Sequence, residues 1–202
     1  MQRKMSEIGK KIVSAGLVEA NFGNISIRSR SGNSFLITKT KTPLDEIGRD
    51  GVIEVPIWND GTETLTAPEV SDVIEKTASS ETPVHRRIYQ ETNAGAILHA
   101  HCPYSVVMSI LENERGNDGI FPMDSEGKLF LKEIPIIFGD IGSEELAENA
   151  ATLFKTGARG AIIFGHGTIA VGETLEEAYH ITAQLEHSAK IGYLYAAARN
   201  SF

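Results

Sequence analysis

The sequence predicts a soluble α/β fold in a single domain spanning residues 1–202. Two observations carry that expectation. Short apolar runs bounded by glycine or proline alternate with stretches whose apolar residues recur at helical spacing. The 202 residues, 41% hydrophobic and 23% charged, are enough to enclose a real core and ordinary for a globular chain.

The net charge of −8 argues against a nucleic-acid partner or an anionic membrane surface. A local basic pocket for a phosphate stays compatible with it. One cysteine, Cys102, leaves no intrachain disulfide and suits a reducing compartment. With no signal-peptide pattern and no apolar run of about 18 residues, the expected location is the cytoplasm.

Met5, Ile8, Ile12 and Val13 predict an amphipathic helix that stops at Gly16. In Asn21-Phe22-Gly23-Asn24 a turn is expected, and the alternation of Ile25 and Ile27 with Ser26 and Arg28 marks a strand leaving it. Asn24 reads as a turn former or as an amide donor at a sheet edge. Phe35–Thr38 predicts a second strand, followed by a polar loop in which Thr40 and Thr42 alternate with Lys39 and Lys41. That composition suits a solvated loop or a phosphate cradle. Val52–Val55 is a third strand, Gly61 suggests a hairpin, and Val70–Ile74 fits helix or strand equally.

Ser79-Ser80-Glu81-Thr82-Pro83 reads as a helix start: serine as N-cap, an acid in the first turn and an early proline, with Val84, Ile88 and Tyr89 on the apolar face. Capping explains these residues, and so does an anion site at the helix N-terminus. A helix opened by Pro103 carries Val106, Val107, Ile110 and Leu111, and a polar loop runs from Asn113 to Lys128. Ile134–Phe138 is a further apolar run. Gly142-Ser143-Glu144-Glu145 opens a helix with Leu146, Ala150 and Leu153 on one face, Arg159–Phe164 is a strand that Thr168–Val171 returns from, and Thr174 caps the last helix. His180 and His187 share a face of that helix and read as structural or interface residues.

The stretch with most chemical content is Ile97-Leu98-His99-Ala100-His101-Cys102-Pro103. An apolar run bounded by Gly95 and Pro103 suits a buried strand, in which residues two apart share a face. His99 and His101 then present two imidazoles side by side at the strand end, a spacing that reaches one metal ion. His166, between Gly165 and Gly167, emerges from the end of another apolar run. Glu81 is a further candidate near such a centre. Three neutral imidazoles leave coordination positions open, as a catalytic metal site requires.

Gly23-Asn24-Ile25-Ser26, Ser79-Ser80-Glu81, His99-Ala100-His101 and His166-Gly167-Thr168 occur together in the order and spacing of the class II aldolase/adducin family, which the chain resembles over nearly its whole length. The resemblance implies a three-layer α/β/α fold with a mostly antiparallel central sheet. It implies a homotetramer with sites at subunit interfaces. It also implies that His99, His101 and His166 bind Zn2+, that Glu81 is the acid/base, and that Asn24, Thr40, Ser79 and Ser80 hold a substrate phosphate. Manganese, cobalt and iron suit the same imidazole ligands. The implied activity is reversible cleavage of a small ketose 1-phosphate to dihydroxyacetone phosphate and an aldehyde, with sugar-phosphate 4-epimerase and methylthioribulose-1-phosphate dehydratase chemistry as alternatives within the family. Adducin-like scaffolds lack the metal ligands, and this chain keeps all three.

The chain departs from the family pattern at three places. Thr40-Lys41 stands where the aldolases carry threonine-glycine, so either the backbone stands further from the phosphate or Lys41 adds a charge to it. The aldolases also carry a tyrosine proton donor in a tail beyond the last helix; Tyr193 and Tyr195 lie inside that helix and do not match it. Pro122–Gly127 replaces the loop in which the epimerases keep a threonine-histidine-alanine-aspartate run, leaving Asp124 and Glu126 as acids without an assigned role.

Overall fold

The computed structural model describes residues 1–19, 22–57 and 68–199; the expected hairpin at Gly61, the turn residue Asn21 and the last three residues lie outside them. Eight strands form one sheet in the order β3-β2-β1-β4-β8-β7-β6-β5. They are β1 (Asn24–Arg28), β2 (Ser34–Thr38), β3 (Val52–Pro56), β4 (Ala96–Ala100), β5 (Gly119–Ile120), β6 (Ile134–Ile137), β7 (Gly160–Ile163) and β8 (Gly167–Gly172). Every neighbouring pair is antiparallel except β6 with β7. The described residues also form seven α-helices: α1 (Gln2–Ser14), α2 (Pro68–Thr77), α3 (Thr82–Glu91), α4 (Pro103–Glu114), α5 (Ser125–Phe130), α6 (Glu144–Lys155) and α7 (Leu175–Arg199).

Alternation along the strands sorts the core into two layers. Phe35, Ile37, Val55, Ile97, Ala161, Ile163 and Ile169 face Ile74 of α2, Val84, Ile88 and Tyr89 of α3, and Leu146, Ala150 and Phe154 of α6. Ile25, Ala96, Leu98 and Ala100 face the other way, onto Met5, Ile8 and Ile12 of α1 and Leu175 and Ala178 of α7. Farther along that second face Ile134, Ile136 and Ile162 meet Met108 of α4 and Ile181 and Leu185 of α7. This is the three-layer α/β/α arrangement with a mostly antiparallel sheet.

Val70–Ile74 resolves as part of α2, with Pro68 as its first residue, where a missing N–H costs least. One expectation needs correcting. The polar stretch from Asn113 to Lys128 contains β5 and the start of α5, elements too short for apolar periodicity to reveal; Asp124 caps α5 by accepting from the Gly127 N–H at 2.7 Å. On α4 the inward face is Ser105, Met108 and Ser109, while Val107 and Ile110 are exposed. The reason is a polar partner inside: the buried Glu186 of α7 accepts from the Tyr104 N–H at 2.9 Å, and from the Ser105 N–H and Oγ at 2.8 Å each. A carboxylate from a neighbouring helix thus satisfies the first free N–H groups of α4.

Arg28 performs the complementary task at the far end of α3. Its guanidinium donates to the carbonyls of Tyr89 at 2.7 Å, Thr92 at 2.9 Å and Ala94 at 2.8 Å, tying the helix C-terminus to β1.

Replacing Glu186 by alanine strands those donors in a buried region. Glu186→Ala is expected to lower unfolding free energy by about 3 kcal/mol, and Glu186→Gln by less, in urea denaturation followed by circular dichroism.

Candidate metal centre and its cavity

The site forms where β1, β4 and the β7–β8 turn end together. Antiparallel register puts Asn24 opposite His99, His99 opposite Ile169 and Ala100 opposite Thr168. His99 is the last inward-facing residue of β4 on the α3 side and is 1% exposed. His101 follows two residues on and stacks on Phe22, with ring centroids 5.1 Å apart. His166 sits in the tight β7–β8 turn, where Gly165 has φ +64° and donates its N–H to Ser109 Oγ at 3.0 Å.

The three rings converge. Centroid separations are 4.9 Å for His99–His101 and 4.6 Å for both pairs with His166. One nitrogen from each lies within 4.8 Å of the others, so the cluster is able to hold a metal ion. His99 Nδ1 donates to the Thr168 carbonyl at 2.9 Å, which leaves Nε2 unprotonated and buried without a partner. A backbone carbonyl that fixes the tautomer of an imidazole is the usual companion of a metal-binding histidine. Burial pushes all three imidazoles below their ordinary pKa, His166 to about 4, with the neighbouring rings adding to the effect on His99 and His166. They are therefore neutral near pH 7, the form that ligates metal.

Glu81 stands one residue before α3, so the expected helix start is shifted. Thr82 is the first helical residue with Pro83 next, and Glu81 occupies the N-cap position without capping through its side chain. Ser79 is not the cap either; its Oγ accepts from the Glu81 N–H at 3.3 Å. The Glu81 side chain is taken up elsewhere. Oε1 accepts from the Gly142 N–H at 3.0 Å, and Oε2 is buried without a partner. Burial is the main reason its pKa is raised to about 7, the Gly142 bond opposing the shift.

A cavity of about 260 Å³ joins these groups. Asn24, Thr40, Ser79, Ser80, Glu81, His99, His101 and His166 all line it, together with Lys39 and Lys41. Six buried side-chain polar atoms lack a partner among the described residues, and four of them belong to this lining: Asn24 Oδ1, Glu81 Oε2, His99 Nε2 and His166 Nδ1. Buried polar groups are normally paired, so their concentration here marks this cavity as a candidate ligand site. Asp124 and Glu126 are not part of the lining. His180 and His187 are exposed on α7.

Sequence reasoning missed several supporting groups. Gly142 reads only as the approach to a helix; its φ of +68° and the closeness of the Ser80 carbonyl, 2.3 Å from where a Cβ would stand, show why a side chain is excluded while its N–H meets Glu81. Gly23 has φ +79° and would place a Cβ 2.6 Å from the His99 carbonyl. The Thr168 carbonyl, Phe22 and Ser109 carry no local signal, because each acts through a contact distant in sequence.

Fold and site together bring a histidine cluster able to hold a metal ion and a buried carboxylate to one cavity at the strand ends of a mostly antiparallel α/β sheet. The chain belongs to the class II aldolase and adducin family: residues 3–193 match the model of the Class II Aldolase and Adducin N-terminal domain. An L-fuculose phosphate aldolase of Methanocaldococcus jannaschii is 29% identical over 195 residues, covering 96% of both chains. A methylthioribulose-1-phosphate dehydratase of Bacillus cereus is 31% identical over 173 residues, 81% of this chain and 75% of the relative. The crystal structure of L-fuculose-1-phosphate aldolase from Thermus thermophilus superposes with a TM-score of 0.83 at 30% identity, covering 99% of this chain and 96% of that one.

The raised pKa of Glu81 has a stability consequence. Between pH 4.5 and about 7 the folded protein holds a proton on Glu81 that the unfolded chain has released, so this group's contribution falls as pH rises through that window. In the metal-free protein, Glu81→Gln is expected to gain about 3 kcal/mol on wild type between pH 4 and pH 8. Paired urea titrations at the two pH values measure it; equal differences at both would contradict the buried carboxylate.

Proposed function

We propose that this chain is a zinc-dependent aldolase that reversibly cleaves a ketose 1-phosphate, fuculose-1-phosphate-like, to dihydroxyacetone phosphate and an aldehyde. The observation that carries this reading is the convergence of three neutral imidazoles and one buried, partly protonated carboxylate on a single cavity. The aldolase names of the relatives from M. jannaschii and T. thermophilus support it.

In this reading His99, His101 and His166 would hold the metal, which would supply Lewis acidity toward the substrate's oxygens. Glu81 handles the proton at carbon. It delivers one to the carbon released when the carbon–carbon bond breaks, and removes one in synthesis. A pKa of about 7 suits both directions, since each protonation state is populated at neutral pH. The Gly142 N–H orients the carboxylate through Oε1 and leaves Oε2 free for the proton. Asn24, Thr40, Ser79 and Ser80 bind the phosphate, with Ser79 held near β2 by its N–H bond to the Thr38 carbonyl at 3.2 Å. Phe22 keeps the His101 ring in place by stacking.

A second reading is retained because relatives in this family include a dehydratase: loss of water from a phosphorylated ketose, or 4-epimerisation, with the same imidazoles and carboxylate. We also propose a homotetramer with sites at subunit interfaces. The exposed apolar residues Val107, Ile110, Phe121, Met123, Leu194 and Tyr195 support burial against further copies.

With zinc-loaded protein and a panel of ketose 1-phosphates, a coupled assay should register dihydroxyacetone phosphate. Release should be abolished by chelator and reduced by about 10²-fold or more in Glu81→Gln. Substrate consumption without triose phosphate would transfer the assignment to the dehydratase or epimerase. Metal analysis should find one zinc per chain in wild type and in Glu81→Gln, and its loss in His101→Ala.

A further inference from the structure

We propose that Lys41 is a phosphate-binding residue, and that its ammonium group sets the preference of this cavity for phosphorylated over unphosphorylated ligands. The inference rests on the sugar-phosphate reading above and adds a residue to it.

The backbone supplies the first observation. The Lys39 carbonyl accepts from the Thr42 N–H at 3.2 Å, closing a turn whose central residues are Thr40 and Lys41. Lys41 has φ +61°, a conformation in which glycine is the least costly residue. A long side chain standing in a strained turn at a candidate binding site points to a use for that side chain.

Placement supplies the second. The turn is fastened to the segment that leads into α3, because the Thr40 N–H donates to the Thr77 carbonyl at 3.0 Å and Lys39 bridges to Ala78. Thr40 and Lys41 therefore face the same cavity as Ser79, Ser80 and Asn24. Hydroxyls and an amide can hydrogen-bond a phosphate but cannot neutralise it. The lining's one carboxylate, Glu81, and the chain's net charge of −8 both oppose a dianion. Lys39 and Lys41 are the two ammonium groups in the lining, and neither makes an ion pair among the described residues; Lys41 is the one that stands on the strained turn position. Because Lys41 is exposed, its attraction for an anion is screened by salt.

Backbone and charge make opposite demands at this position, and that separates them experimentally. Calorimetric titration of the zinc-loaded full chain with 2-phosphoglycolohydroxamate and with glycolohydroxamate, which share one metal-chelating hydroxamate, isolates the phosphate increment. Wild type should bind the phosphorylated ligand more tightly. Lys41→Gly should weaken the phosphorylated ligand by about tenfold, leave glycolohydroxamate unchanged, and unfold at a temperature equal to or above that of wild type. Lys41→Ala should show the same affinity loss without the gain in unfolding temperature, and Lys41→Arg should retain affinity. The wild-type increment should shrink as salt is raised. A phosphorylated ligand that binds more tightly than its parent but is unaffected by Lys41→Gly would overturn the role of Lys41 alone. A phosphorylated ligand no tighter than its parent in wild type would overturn the phosphate cavity, and Lys41 with it.

Discussion

The site depends on strand register more than on any single contact. With Asn24 opposite His99 and Ala100 opposite Thr168, three neighbouring strands end at one level, and residues of like parity open onto one face. A slip of one residue in β4 would move His99 to the α7 side and place Leu98 in the cavity. The apolar pattern of β4 opposes that slip, because Ile97 belongs to the α3 core and Leu98 to the α1 core. The burial that stabilises the sheet therefore also aims the imidazoles.

The cavity is costly to fold. It gathers unpaired polar atoms, a carboxylate whose ionised form is disfavoured by burial, and the strained backbone of Lys41. Compensating bonds lie just behind it. Ser26, facing the α3 side from β1, joins its hydroxyl to His85 Nδ1 at 2.7 Å and to the Tyr89 hydroxyl at 2.8 Å. Burial holds His85 neutral, its pKa lowered to about 3, so this network adds no charge beside the cluster. With Arg28 closing the far end of α3, the helix that begins next to Glu81 is fixed to β1 along its length. The bonded network thus lies behind the cavity, while four of the orphaned polar atoms lie in its lining.

How much of this was legible in the sequence follows from the range of the interactions concerned. His99, His101 and His166 could be found because strand periodicity and flanking glycines are local signals, and their convergence in one cluster agrees with that reading. The helix start at Gly142-Ser143-Glu144-Glu145 and the Thr174 cap were readable for the same reason: Ser143 accepts from the Leu146 N–H at 3.1 Å and Thr174 from the Glu177 N–H at 3.2 Å. The inward face of α4 was not legible, because its serines look polar until Glu186, far away in sequence, supplies their partner. The serine cap at α3 was misread because Glu81 is drawn to Gly142 across the cavity rather than to its own helix. The antiparallel three-layer arrangement itself came from the family resemblance, since periodicity does not say which strands are neighbours.

One family holds relatives named as aldolases and as dehydratases, and the construction of this site suggests how. The imidazoles stand at strand ends or in a short turn between strands, and Glu81 adjoins a helix start, positions the fold fixes firmly. Phe22, Lys41 and Ile141, also in the cavity lining, belong to connecting segments. Loops can change without disturbing the sheet beneath them. In the function proposed above, metal binding and proton transfer at carbon fall to residues that the scaffold fixes, whereas much of the recognition of the phosphate and of the remainder of the substrate falls to the loops.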